Sequence, residues 1–203
     1  MQIHVIYPRG FGANTYALTT DNQTAVVIDP SQPRVFDELK NKGLQAKYVL
    51  LTHCHFDHIG DADRLREVTN TKIAIGVFDN ASLSDENKNL CNLFGVQLKP
   101  FSADITFSDG EVYSLGDIEF KVIHTPGHTL GGVCYLIDDI LFSGDTLFSG
   151  SIGRTEFPDG EFAILKNSVN KLYQLPESTK VYSGHGEATT IGYEKKYNPF
   201  IRG

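Results

Sequence analysis

The amino-acid sequence predicts one α/β domain spanning residues 1–203, a mixed sheet system with helices packed outside it. Three observations lead there. Runs of β-branched and apolar residues recur along the whole chain. Helical patterns fit between some of these runs but not others, and no repeat, low-complexity stretch or linker interrupts them.

Strands are predicted at Gln2–Tyr7, Asn14–Thr20, Thr24–Asp29, Lys47–Thr52, Lys72–Ile75, Val112–Leu115, Glu119–His124, Val133–Ile137 and Val181–Ser183. A helix is predicted to open at Pro33, because Val35, Phe36 and Leu39 fall on one face and Gly43 stands where a helix C-terminus favours glycine. Further helices are expected over Gly60–Val68, Ser84–Phe94 and Gly160–Leu172.

Composition narrows the function. With 40% hydrophobic and 11% aromatic residues the chain can build a core, so wholesale disorder is excluded. There is no apolar run long enough to span a bilayer. A net charge of −7 and the lack of any Lys/Arg cluster argue against nucleic acid as a partner. The start, Met1-Gln2-Ile3-His4-Val5-Ile6, lacks the cationic and long apolar pattern of a secretion signal. Three scattered cysteines, Cys54, Cys91 and Cys134, make no disulfide framework, so a cytoplasmic, reducing setting is expected.

The densest chemistry lies in Thr52-His53-Cys54-His55-Phe56-Asp57-His58, directly after the apolar run Tyr48–Leu51. On extended backbone alternate side chains share a face, which would align His53, His55 and Asp57 and turn Cys54 and Phe56 away, with His58 at the turn into a helix. Imidazole and carboxylate together suit zinc, iron or manganese. Three later residues occupy glycine-flanked strand ends: His128 in Pro126-Gly127-His128-Thr129, Asp145 in Ser143-Gly144-Asp145-Thr146, and His185 in Ser183-Gly184-His185-Gly186.

This series, His-x-His-x-Asp-His followed by Gly-His-Thr, Gly-Asp and Gly-His, resembles the metallo-β-lactamase superfamily over nearly the whole chain. The resemblance implies a four-layer αβ/βα sandwich with a metal site at one sheet edge. It further implies two divalent ions, zinc with iron or manganese as alternatives. One would lie on His53, His55 and His128, the second on Asp57, His58 and His185, with Asp145 bridging. Asp57 and Asp145 are the catalytic carboxylates in this reading. Gly150–Pro158 and the closing Asn198-Pro199-Phe200 resemble short, single-domain glyoxalase II-like hydrolases. These imply hydrolysis of a thioester such as S-2-hydroxyacylglutathione by a hydroxide bridging the metals. Arg154 then falls where such enzymes place a basic substrate contact, although Thr155-Glu156 stands where they carry a tyrosine.

Alternatives stay open at this point. A persulfide dioxygenase would keep one ferrous ion on His53, His128 and Asp145, and a lactonase or β-lactamase would share the same metal core. Arg154 could instead pair with Glu156 or Asp159. His124 suits a structural hydrogen bond, His4 an ordinary strand position and Cys54 a buried inert thiol. Tyr193 and Tyr197 suit packing better than the cleft, and Gly127, Gly144 and Gly184 suit tight turns beside the ligands.

Overall fold

The computed structural model describes residues 1–21 and 23–203. The first sheet takes its strands in chain order: β1 (Gln2–Ile6), β2 (Thr15–Thr19), β3 (Thr24–Ile28), β4 (Gln45–Leu51), β5 (Lys72–Gly76) and β6 (Ile105–Phe107). Its first three strands pair antiparallel, and β3 through β6 run parallel. Along this sheet lie α1 (Arg34–Asn41), the single turn α2 (Phe56–Ile59), α3 (Ala62–Thr69) and the single turn α4 (Cys91–Phe94).

The second sheet is built from β7 (Val112–Leu115), β8 (Ile118–His124), β9 (Val133–Ile137), β10 (Ile140–Gly144), β13 (Lys180–Ser183) and β14 (Thr189–Thr190). Its spatial order is β14-β13-β10-β9-β8-β7, and β10 and β13 are parallel. A ribbon of β11 (Leu147–Phe148) and β12 (Ser151–Ile152) leaves this sheet, and α5 (Phe162–Leu172) and α6 (Ile191–Tyr197) complete the chain.

Three apolar layers explain the stacking. Tyr16, Leu18, Val26, Ile28 and Leu50 of the first sheet meet Phe120, Val122, Tyr135 and Phe142 of the second. The other face of the first sheet, through Val27, Val49 and Ile73, packs on Val35 and Leu39 of α1 and Leu65 of α3. On the far side Ile123, Cys134 and Leu141 pack on Leu165, Val169 and Leu172 of α5 and Ile191 of α6. Central strands covered on both faces therefore read as continuous apolar runs rather than alternating ones. The result is helix, sheet, sheet and helix, the four layers that the resemblance implies.

The helix opening after Pro33 closes at Gly43, which takes φ +69° just beyond it. The span Ser84–Phe94 is a correction: only Cys91–Phe94 of α4 is α-helical. Asp85 Oδ1 accepts the N–H groups of Asn87 and Lys88, so a polar side chain takes the bonds that a helix would have made.

Candidate metal centre

Four segments deliver the predicted residues to one edge of the molecule. His53, His55, Asp57 and His58 follow β4, and His128 follows β8. Asp145 follows β10 and His185 follows β13. Because β10 and β13 are parallel and β8 lies two antiparallel steps from β10, the ends of these three strands emerge on the same side. Backbone bonds close the two sheets together there: Val133 N–H donates to the Thr52 carbonyl at 2.9 Å, and Asn14 N–H to the Gly184 carbonyl at 2.6 Å.

All seven predicted donors converge. His53, His55 and His128 form one set whose ligand atoms lie within 4.8 Å of one another. Asp57, His58 and His185 form a second such set, and His53, His58 and Asp145 a third that joins them. Asp145 stands between the two sides: Oδ1 is 3.2 Å from His58 Nε2, and Oδ2 is 3.5 Å from His128 Nε2 and 3.4 Å from His185 Nε2. Asp57 Oδ2 lies 3.3 Å from His185 Nε2.

The local backbone differs from the extended run that alternation suggests. β4 ends at Leu51, and Phe56–Ile59 closes a helical turn with His58 N–H donating to the His55 carbonyl at 3.0 Å. Asp57 thus reaches the cluster from a turn beside His58, not from the strand face of His53.

Partners outside the cluster set the tautomers. Asp29 Oδ2 accepts from His58 Nδ1 at 2.8 Å, and the Arg154 carbonyl accepts from His128 Nδ1 at 2.6 Å. Both acceptors lack protons, so each ring keeps a hydrogen on Nδ1 and turns Nε2 inward. The Thr52 hydroxyl donates to Asp29 Oδ2 at 2.7 Å, which leaves its oxygen to accept from His53 Nδ1 at 3.1 Å. Asp29, itself at φ +50°, therefore orients two imidazoles. Sequence reasoning missed Asp29 and Thr52; the available signal was an acid ending the apolar run Thr24–Ile28 just before Pro30.

Asp79 was also missed. Its Oδ2 accepts the Cys54 N–H and the Thr129 hydroxyl, and its Oδ1 accepts the Gly131 N–H. Burial pushes its carboxyl above the usual range against these bonds.

Electrostatics separate the donors. Burial, reinforced by neighbouring imidazoles, holds His53 well below the usual range and His55 at about 3, so both are neutral at physiological pH. Burial opposes protonation of His58 and His185 too. The Asp145 carboxylate, with Asp29 and Asp57 beside His58, outweighs it and lifts His58 well above the usual range and His185 to about 9. Asp145 and Asp57 are buried, which favours the neutral acid, yet the adjacent His58 and His185 keep both carboxyls below their ordinary values.

A divalent cation fits this donor set on one structural observation. His55 Nε2, His58 Nε2, His128 Nε2 and Asp145 Oδ1 are buried with no aligned hydrogen-bond partner among the described residues. Each such orphan costs about 1–3 kcal/mol. Their proximity without hydrogen-bond alignment is the arrangement of a donor set gathered around a shared cation.

The remaining candidates take other places. Arg154 lines the cleft, but its Nε donates to Glu156 Oε1 at 2.6 Å and its guanidinium lies over Phe157, while Asp159 pairs with Lys88. His124 Nε2 bonds the Leu130 carbonyl, away from the cluster. Cys54 is a free buried thiol raised well above its usual range by burial. Tyr193 and Tyr197 face each other at 5.0 Å. Gly127 and Gly144 take φ of +121° and +50°, as tight turns require. Gly184 needs no such angle and serves instead by lacking a Cβ, which would stand 2.3 Å from Asp145 Oδ1.

The chain belongs to the metallo-beta-lactamase superfamily, which residues 8–185 match. Among its relatives, the hydroxyacylglutathione hydrolase GloC of Haemophilus influenzae is 34% identical over 99% of this chain and 98% of its own. The probable metallo-hydrolase YqgX of Bacillus subtilis is 37% identical over 94% of this chain and 93% of its own. The crystal structure of the B3 metallo-beta-lactamase BLEG-1 superposes with a TM-score of 0.92 at 37% identity, covering 100% of both chains. The structure of TTHA1623 in a di-iron-bound form superposes at 0.84 with 31% identity, covering 97% of this chain and 100% of that one. No helix among the described residues is long and apolar enough to cross a membrane.

Proposed function

We propose that the protein is a metal-dependent thioester hydrolase of the glyoxalase II kind, acting on substrates such as S-2-hydroxyacylglutathione. The observation that carries this reading is the convergence of three donor sets on the floor of one cleft, with Asp145 shared between their two sides. The similarity to GloC supports the choice of substrate class. His53, His55 and His128 would hold one divalent cation and Asp57, His58 and His185 a second, zinc best suiting the imidazole-rich set.

Such cations supply an acidified water and a polarised carbonyl. The chain's own residues do the remaining work. Asp29 and Thr52 keep His53 and His58 in the tautomer that presents Nε2. Asp57 faces the cleft as an ionised carboxylate, with Oδ2 3.3 Å from His185 Nε2, and would help to hold the second cation. Water adds to the acyl carbon, the C–S bond breaks, and the products are a carboxylate, a thiol and one proton. A thiol of pKa about 8.5 departs as thiolate with little assistance, whereas an amide nitrogen needs a proton first. The thioester therefore asks least of these residues.

The mononuclear iron reading would use His53, His128 and Asp145 and leave the gathered Asp57, His58 and His185 without a task. Incubating the purified protein with S-lactoylglutathione and, separately, with a glutathione persulfide under air separates the two. Free thiol from the first substrate supports hydrolysis. Sulfite from the second, with no thiol from the first, refutes it.

A further inference from the structure

The cleft over the donor cluster encloses about 380 Å³ and is walled by phenylalanine. Phe56 packs on Phe94 with ring centroids 5.0 Å apart, Phe94 lies 6.4 Å from Phe157, and Phe157 stands 5.8 Å from His55. An unbroken aromatic band thus runs from solvent down to the imidazoles. Leu90 closes its base, at φ +66°. That angle is uncommon for a branched side chain and needs surrounding structure to hold it. One turn later Phe94 remains 46% exposed. A contiguous apolar wall left open to water beside convergent polar groups marks a ligand surface.

Charge points the same way. Arg154 is the sole Lys or Arg among the described residues lining the cleft, and it is occupied by Glu156 and stacked on Phe157. The one cation at the aromatic end is thus already paired with Glu156, so a carboxylate has less to gain there than a flat apolar group. The cleft is also asymmetric: at the aromatic end His55 and Leu90 are buried and Phe94 is 46% exposed, whereas elsewhere in the lining Phe11 is 92% exposed and the His185 side chain 37%. A leaving thiolate has its exit at the more exposed end, and the acyl group then lies at the aromatic one.

Resting on the thioester reading, we propose that the acyl group carries an aryl or similarly flat apolar side chain, received between Phe56, Phe94 and Phe157, and that Phe94 sets this specificity.

The test compares S-phenylacetyl and S-acetyl thioesters of one thiol, N-acetylcysteamine, on the metal-loaded full chain. The phenylacetyl ester is favoured by about tenfold or more in kcat/KM, the range one well-filled apolar subsite provides. In Phe94→Ala that ratio falls towards one, and in Phe94→Leu it falls less. A ratio near one in the unaltered protein, or a ratio unmoved by Phe94→Ala, overturns the proposal. Should neither ester be cleaved, the hydrolase reading falls, and calorimetry with the uncleavable S-(2-phenylethyl) and S-ethyl thioethers decides the pocket. Tighter phenylethyl binding that Phe94→Ala removes upholds it, and equal binding overturns it.

Discussion

The Asp79 carboxylate accepts the backbone N–H of Cys54 at 3.1 Å, and so holds the one residue that separates His53 from His55. The same oxygen takes the Thr129 hydroxyl at 2.8 Å, next to His128. A single buried side chain thereby ties together the two loops that carry the first donor set.

Asp79→Ala leaves the Cys54 and Gly131 N–H groups and the Thr129 hydroxyl without their acceptor in a buried site. The expected cost is about 3 kcal/mol of stability and, because these loops position ligands, about 10–100-fold in metal affinity. Denaturant unfolding and chelator competition read the two effects. Unchanged metal affinity would show that the loops hold their places without Asp79.

His53→Ala removes a donor common to two sets, and Asp145→Ala the carboxylate that stands between the first and second sets; both are expected to lower kcat/KM by more than about 100-fold, beyond the loss of a supporting partner. His185→Ala removes a donor from the second set alone, so about one equivalent of metal should be lost while the other stays. Metal analysis of the three variants checks the pattern. Equal loss in all three would mean that the sets do not fill separately.

Gly184→Ala places a Cβ 2.3 Å from Asp145 Oδ1 and 2.6 Å from His58 Cε1. Both side chains must shift, and displacement of about 1 Å at reacting groups costs on the order of 100-fold. Turnover should fall to that extent while circular dichroism remains native. A variant with normal turnover would place the reaction away from Asp145 and His58.

Asp61 carries the clearest pH signature away from the donor cluster. Its carboxyl is buried against α1, accepting the Phe36 N–H at 2.9 Å, and burial raises its pKa to about 6. The folded state therefore holds this proton more tightly than the unfolded chain, whose value is 3.8. Stability falls as pH rises from about 4 to 6 and is then flat with respect to this group. Asp61→Asn removes that dependence, so its melting temperature relative to the unaltered protein should be higher at pH 7.5 than at pH 4. A difference independent of pH would show that Asp61 titrates normally.

Much of this was legible in the sequence. Covered strands such as Thr24–Ile28 announce themselves by continuous apolar residues, and the donors of Thr52–His58 stand close enough together to be read as a cluster. Their backbone was harder. The Phe56 N–H bonds the Asn89 carbonyl, a partner far along the chain that no local alternation reveals. The roles of Asp29 and Asp79 were hard to read for a related reason: their partners are a ring nitrogen, hydroxyls and backbone N–H groups contributed by other segments, so neither acid stands in a motif of its own. Strand β10 escaped because Gly144 and Asp145 follow its apolar residues and read as a loop. The aromatic wall draws Phe56, Phe94 and Phe157 from three separate segments, and only the fold unites them.

The central claim, that seven side chains gather paired divalent cations to hydrolyse a thioester, is tested most directly by titrating metal-free protein with zinc while following thioester cleavage. Turnover should be absent at the start, rise with added metal and level off at two equivalents per chain. Full turnover before any metal is added, or saturation at a single equivalent, would contradict it.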